Sequence, residues 1–272
     1  MKVSIVIRCG RNLKGLRRCL KSIDQPVEVI ISAAEDAKFL KRLKIGGYVL
    51  TTHRYGNWSL AAENGLEAAD NNDVIMMDAD SVFEPGAIRE IARVLKNGHH
   101  LVQPRVNFLA GKSIVGRLIS NARTHENQYI PKAYSPGLGL KKNELLEVIG
   151  LDGKIYNPKV IYGDDGYLDQ RAKSKGIKIF VAKKAVINHD PINLKHELNT
   201  IFNFGRGQRQ LELNHPRGLL VQLTEEYFCA DAKNYYSAAY KRFGLITILY
   251  MLFSRLFYIA GYLAEHIKNK NG

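Results

Sequence analysis

Two carboxylates separated by one small residue, Asp78-Ala79-Asp80, directly follow the run Asp73-Val74-Ile75-Met76-Met77. A short, nearly continuous apolar run reads as a buried strand, and in a parallel sheet ligands bind at the carboxyl ends of strands. Hard divalent cations prefer carboxylate oxygen and keep positions open for phosphate oxygens, so the pair could hold a metal diphosphate. Asp80 or Ser81 could equally cap the following turn. A second acidic pair, Asp164-Asp165, lies in Gly163-Asp164-Asp165-Gly166 and opens a helical pattern. Carboxylates there complement the helix dipole by roughly 0.3 to 1 kcal/mol, or one of them takes the proton of an attacking hydroxyl as a general base. The third candidate is His189, in Ile187-Asn188-His189-Asp190 after a β-rich run. Its imidazole could join carboxylate oxygens on Mn²⁺ or a similar ion, and a structural or solvated histidine is the bland alternative.

The elements that must position these residues alternate. Lys2–Arg8, Val27–Ser32 and Tyr48–Thr52 read as strands, and Leu13–Ile23, Phe39–Leu43 and Leu60–Ala69 as helices, before the strand that ends in Asp78. Such β-α-β alternation predicts an α/β fold with a mostly parallel, Rossmann-like sheet flanked by helices. Ala87–Leu95 follows as a helix behind Glu84-Pro85-Gly86, and then His99–Pro104 as a strand. Residues 105–140 are rich in Gly, Ser, Asn and Tyr with weak periodicity and read as loops and short elements closing over a site. Glu144–Ile149 and Gly166–Lys175 read as helical, and Ile177–Val181 and Ala185–Asn188 as strands.

The chain has 272 residues and 46% apolar content, enough for a real core. Its formal charge is +14 and its isoelectric point about 9.6, which predicts an acidic partner: nucleic acid, an anionic membrane or a phosphate-bearing small molecule. Cys9, Cys19 and Cys229 lack paired metal or redox spacing and read as reduced thiols. The apolar run at the N-terminus is too short for a signal peptide, so a cytoplasmic location is expected. Segment 243–263 is apolar but holds Arg255, which costs about 2.5 to 3.5 kcal/mol at the centre of a span. With Lys241, Arg242, Lys268 and Lys270 beside it, the segment fits a helix lying at the cytoplasmic face of a membrane, or one buried on the protein itself.

Taken in order, these segments resemble inverting glycosyltransferase family 2, which has the GT-A fold. The resemblance runs through Ser4-Ile5-Val6-Ile7, Leu16–Ile23, Asn57-Trp58-Ser59-Leu60, Met77-Asp78-Ala79-Asp80-Ser81, Pro85-Gly86-Ala87, Ser135-Pro136-Gly137-Leu138-Gly139, Asp164-Asp165 and His189. It implies transfer of a sugar from a nucleotide diphosphate donor to an acceptor hydroxyl of a glycan or lipid-linked sugar, with Mn²⁺ or Mg²⁺ as cofactor. Asp78 would lie near the donor ribose and the metal, Asp80 would ligate the metal, and His189 would be a further ligand. Asp165 would be the base, with Asp164 on the acceptor side and Asn57 on the donor side. Arg206 and Arg209 fall where relatives carry a basic segment near the diphosphate, and guanidinium forks suit phosphate oxygens; a solvated basic turn is the alternative.

The chain also departs from the family pattern. Arg8-Cys9-Gly10-Arg11 follows the first strand in place of the usual Pro, and Arg8 could meet a donor phosphate or equally belong to a basic surface loop. Ser32-Ala33-Ala34 stands where an Asp often reads the nucleobase, and Trp58 replaces a frequent Gly. On this reading residues 1–215 form the catalytic domain, with 1–104 the nucleotide-sugar-binding half and 105–215 the acceptor-binding half. Residues 216–272 form a helical C-terminal region. A polyprenyl-phosphate sugar synthase is the enzyme rival. A basic nucleic-acid-binding module is the rival of another class, but the aromatic residues are not interleaved with the basic clusters, so no nucleic-acid partner is expected.

Overall fold

The computed structural model describes residues 2–37, 48–212 and 232–270. The helix expected over 39–43, Cys229 and the boundary expected at 215/216 lie outside these residues. Two compact units divide the chain: Met1–Asn107 with Ile130–Asp190, and Phe108–Tyr129 with Pro191–Gly272.

The first unit begins with the expected alternation of β1 (Ser4–Cys9), α1 (Leu13–Lys21), β2 (Glu28–Ala34), β3 (Val49–His53), α2 (Trp58–Glu67) and β4 (Asp73–Asp78). The polar residues before both helices act as caps: Asn12 Oδ1 accepts from Gly15 N, and Asn57 Oδ1 from Leu60 N, each at 2.9 Å. There follow β5 (Ser81–Phe83), α3 (Ala87–Lys96), β6 (Leu101–Phe108), β7 (Leu138–Lys141), α5 (Lys142–Ile149), α6 (Asp164–Ser174) and β8 (Ile179–His189), with α4 (Ile114–Tyr129) in the second unit.

The eight strands form one sheet in the order β3-β2-β1-β4-β7-β6-β8-β5. From β3 to β4 every pairing is parallel, as the alternation requires; β4 with β7, β7 with β6 and β8 with β5 are antiparallel, so the sheet is mixed. Successive residues of a strand face opposite sides of a sheet. Val6, Ile30, Val74, Met76, Leu138 and Leu140 pack on one side with Leu66 of α2, Leu145 and Ile149 of α5, and Leu168 and Ala172 of α6. On the other side α3 approaches so closely that a Cβ at Gly139 would collide with Ile91.

Two sequence expectations are corrected here. Residues 105–140 hold a 16-residue helix, α4, whose turned-in positions include Arg123, Thr124, His125 and Asn127; a helix burying polar groups has little apolar periodicity to read. The two short strands expected at 177–188 are one strand, β8, interrupted in hydrophobicity by Lys183 and Lys184. The second unit is helical, with α4, α7 (Leu194–Glu212), α8 (Ala232–Phe243) and α9 (Leu245–Lys270).

Candidate functional site

Parallel pairing of β1 with β4 sets Arg8 beside Asp78 in register. Both lie on the side of the sheet occupied by α6, because each shares its parity with Val6 or Met76. Leu168 and Ala172 fix α6 on that side, so its first turn delivers Asp164 and Asp165 to the same place. Gly163 opens the helix at φ 81, a conformation costly for any residue with a Cβ.

The outcome is a tight ionic cluster. The Arg8 guanidinium, 6% exposed, donates from Nε to Asp78 Oδ1 at 2.9 Å and pairs with Asp164 through Nη1. It therefore sits inside, between two carboxylates, and braces them. Burial first, and then the charge of Asp164, push the Asp165 carboxyl well above the usual carboxylate range; Arg8 pulls it down, Asp78 adds to the rise, and the Ser135 backbone N–H opposes it. Asp165 Oδ1 is sealed from solvent without a hydrogen-bond partner, and so is the Tyr156 hydroxyl. Burial and then the Asp165 charge drive that phenol up as well.

Asp80 and His189 meet through the edge of the sheet. Antiparallel pairing sets Ser81 opposite His189, and Asp190 N donates to the Asp80 carbonyl at 2.9 Å. Asp80 Oδ1 then stands 3.5 Å from His189 Nε2, with the Asp80 side chain 38% exposed. His189 Nδ1 lies 2.7 Å from the Asp190 carbonyl oxygen, which can only accept, so Nδ1 carries a proton and Nε2 is the ring nitrogen turned to the carboxylate. Protonated, Nε2 pairs with Asp80 directly; deprotonated, it and the carboxylate could hold a cation between them. Cis ligands about 2.1 Å from one octahedral Mg²⁺ or Mn²⁺ ion stand about 3.0 Å apart, somewhat closer than this pair, and a backbone carbonyl on the far ring nitrogen is the usual support of a metal-bound histidine. The two groups could supply two ligands to a divalent cation and leave its other positions to outside oxygens. Among the described residues no group of three His, Cys, Asp or Glu is placed to hold a metal, and Asp78 is turned to Arg8.

The remaining sequence candidates fall elsewhere. Both ends of the Asn57 amide serve the fold, Oδ1 as the cap of α2 and Nδ2 by donating to the Pro158 carbonyl at 3.0 Å. Arg206 and Arg209 belong to the second unit, where Arg206 Nε donates to Glu265 at 2.8 Å and Arg209 lies over the Tyr262 ring.

One residue escaped the sequence reading. His53, at the end of β3, is buried against Ser32 Oγ at 3.2 Å, with its Nε2 unpartnered, and its ring lies 5.9 Å from that of Trp58. Burial, and then Arg8, bring its pKa down to about 4, so it is neutral in ordinary buffers. A Cβ at Gly10 would stand 3.1 Å from Tyr55 and 3.3 Å from Trp58. The carboxyl ends of β1, β2 and β3 thus bring Tyr55, Trp58 and the buried His53 imidazole together. Nothing in the sequence joins Ser32 to His53; the pairing of Ser32 with Thr51, two residues before His53, becomes visible only in the register.

A sheet that is parallel through four strands, mixed beyond them and flanked by helices is an α/β fold of the GT-A type. No protein-family model matches the chain, and no curated protein matches it in sequence. Solved structures do match: S. aureus TarS 1–349 in complex with UDP-GlcNAc has a TM-score of 0.54 at 14% identity, over 88% of this chain and 73% of that one. TarS 1–349 alone gives 0.52 at 14% identity over 100% and 92%. A longer TarS chain gives 0.52 at 14% identity over 85% of this chain, which spans only 43% of that TarS chain. The chain has the fold of these glycosyltransferase domains.

Proposed function

We propose that the chain is an inverting, metal-dependent glycosyltransferase of the family 2 kind, moving a hexosyl or related sugar from a nucleotide diphosphate to an acceptor hydroxyl. The observation that carries this reading is the Asp80–His189 pair beside the Arg8–Asp78–Asp164–Asp165 cluster, at the carboxyl ends of the strands. TarS structures with UDP-GlcNAc and UDP support the donor class and make UDP-sugars the first donors to try.

Asp80 and His189 Nε2 would hold Mn²⁺ or Mg²⁺, which would supply charge stabilisation for the departing diphosphate. Asp78, oriented by Arg8, faces the donor ribose, and the Tyr55 and Trp58 rings beside Gly10 take the base. Asp165 removes the acceptor proton as the hydroxyl attacks the anomeric carbon from the face opposite the nucleotide. A proton held by Asp165 in the free site must leave first, so its raised affinity makes it a stronger base at the cost of an acid limb in the rate.

The test is a thermal-shift screen of UDP-, GDP- and dTDP-sugars with and without Mn²⁺. Donor stabilisation that requires Mn²⁺ in the wild type and is lost in Asp80→Ala and His189→Ala is expected. Equal stabilisation of wild type and Asp80→Ala would overturn the metal assignment.

A further inference from the structure

The second unit is built with its polarity reversed. From Leu245 to Ile267 every exposed side chain of α9 is apolar, with Ile246 64% and Leu256 61% exposed. At 100° per residue these positions occupy an arc of about 120°, and at 1.5 Å per residue they run for about 34 Å. The polar groups of the same helix point inward. Glu265 accepts from Arg206 Nε and Gln210 Nε2, Thr247 is buried, and Tyr250 donates to Glu197 at 3.3 Å. The helices α7 and α9 approach backbone to backbone, since a Cβ at Gly205 would collide with the Tyr258 carbonyl and one at Gly261 with the Phe202 carbonyl. A helix facing water carries the opposite pattern. Polar groups inside, small residues at the crossing and an unbroken apolar outer face are what hydrocarbon contact selects.

We infer that α9 is an interfacial helix that seats the second unit on a bilayer containing anionic phospholipid. The helix is long and apolar enough to cross a membrane, with mean hydropathy 1.5 and 28% burial over its most apolar window. It lies flat because α7, packed along it, exposes Lys195, His196 and Asn199, which hydrocarbon would not accept. Exposed Lys241 and Arg242 precede the apolar arc and exposed Lys268 follows it, so a flat helix meets headgroups at both ends, in keeping with the +14 charge. A second copy of the chain is the weaker occupant. A coiled-coil seam is narrow, whereas this arc is about 120° wide and is widened on its flanks by Ile248, Phe257 and Ile259, with half-buried His266 and Arg255 on one edge. At the Phe257 flank an open groove of about 630 Å³ joins Phe202 and Phe257 to Asn193, Lys195 and His196, apolar walls with cationic chemistry suited to a lipid headgroup.

This inference needs no donor chemistry, and its test reads none. The full chain is floated on a sucrose gradient with vesicles of phosphatidylcholine, alone or with phosphatidylglycerol. Co-flotation with the anionic vesicles is expected, with at least tenfold less bound for Leu249→Glu/Leu256→Glu. Lys241→Glu/Lys268→Glu should lose the preference for phosphatidylglycerol, and far-UV circular dichroism confirms that both variants fold. Three results overturn the inference: no flotation of the wild type, a dimer in sedimentation equilibrium dissociated by the Leu249/Leu256 substitutions, or resistance to alkaline extraction from vesicles, which marks a spanning helix.

Discussion

Each unit buries an arginine against carboxylate, but the two arrangements balance differently. In the second unit Arg123 grips Glu197 with three hydrogen bonds of 3.0 to 3.2 Å, and Tyr250 supplies a further donor. One acid meets one base, and the carboxylate is fully served. In the first unit one guanidinium faces Asp78 and Asp164 with Asp165 close by, and Asp165 Oδ1 and the Tyr156 hydroxyl are left without partners. A buried pair that is complete locks packing. A cluster with surplus carboxylate and unspent hydrogen-bonding capacity is costly for stability, and such cost is the mark of a place kept for chemistry.

The comparison breaks most sharply through activity. Asp165→Asn should lower kcat by about 10² to 10⁴-fold while the melting temperature holds or rises, since a strained carboxylate is removed. Steady-state transfer assays beside calorimetry check both halves. A fall in stability with activity intact would assign Asp165 to packing. Glu197→Ala should do the reverse, costing about 3 to 5 kcal/mol in a urea titration because it strands a buried guanidinium, with donor affinity of the folded fraction unchanged.

A finer probe is pH. Because Asp165 binds its proton more tightly than an ordinary carboxyl, kcat/KM should fall as pH drops through that raised value. Asp164→Asn removes the second cause of the rise and should move the acid limb to lower pH. The smallest effect concerns Glu63, buried under the Tyr156 backbone N–H and pushed up to about 7, by burial first. The unfolded chain releases this proton near pH 4.5 and the folded chain near 7, so stability falls between those values and is level above. Melting curves of Glu63→Gln should lose that slope.

Four parallel strands, their two helices and the acids of the site were legible because each announces itself locally, by β-branched runs, asparagine caps and carboxylates at strand ends. What stayed hidden depends on who sits opposite. The residues of β5 and β7 are too few for a periodic signal, and nothing in Arg8 says that Asp78 is its neighbour until β1 and β4 are set in register. That register is why Arg8 reads as a phosphate ligand in sequence and sits as a brace between carboxylates in the structure. For α4 and α9 the usual cue is weak or inverted, since their inner faces carry polar groups.

The pairing of Ser81 with His189 also bears on how the site comes into being. Asp80 lies at the turn after the fourth strand, but its partner arrives only when β8, the last strand of the unit, closes on β5 at the sheet edge. Residues so far apart in the chain meet only at a cost in loop entropy. A cation bound by both residues would act only on the finished sheet, stabilising it by mass action and leaving earlier, half-built forms unassisted.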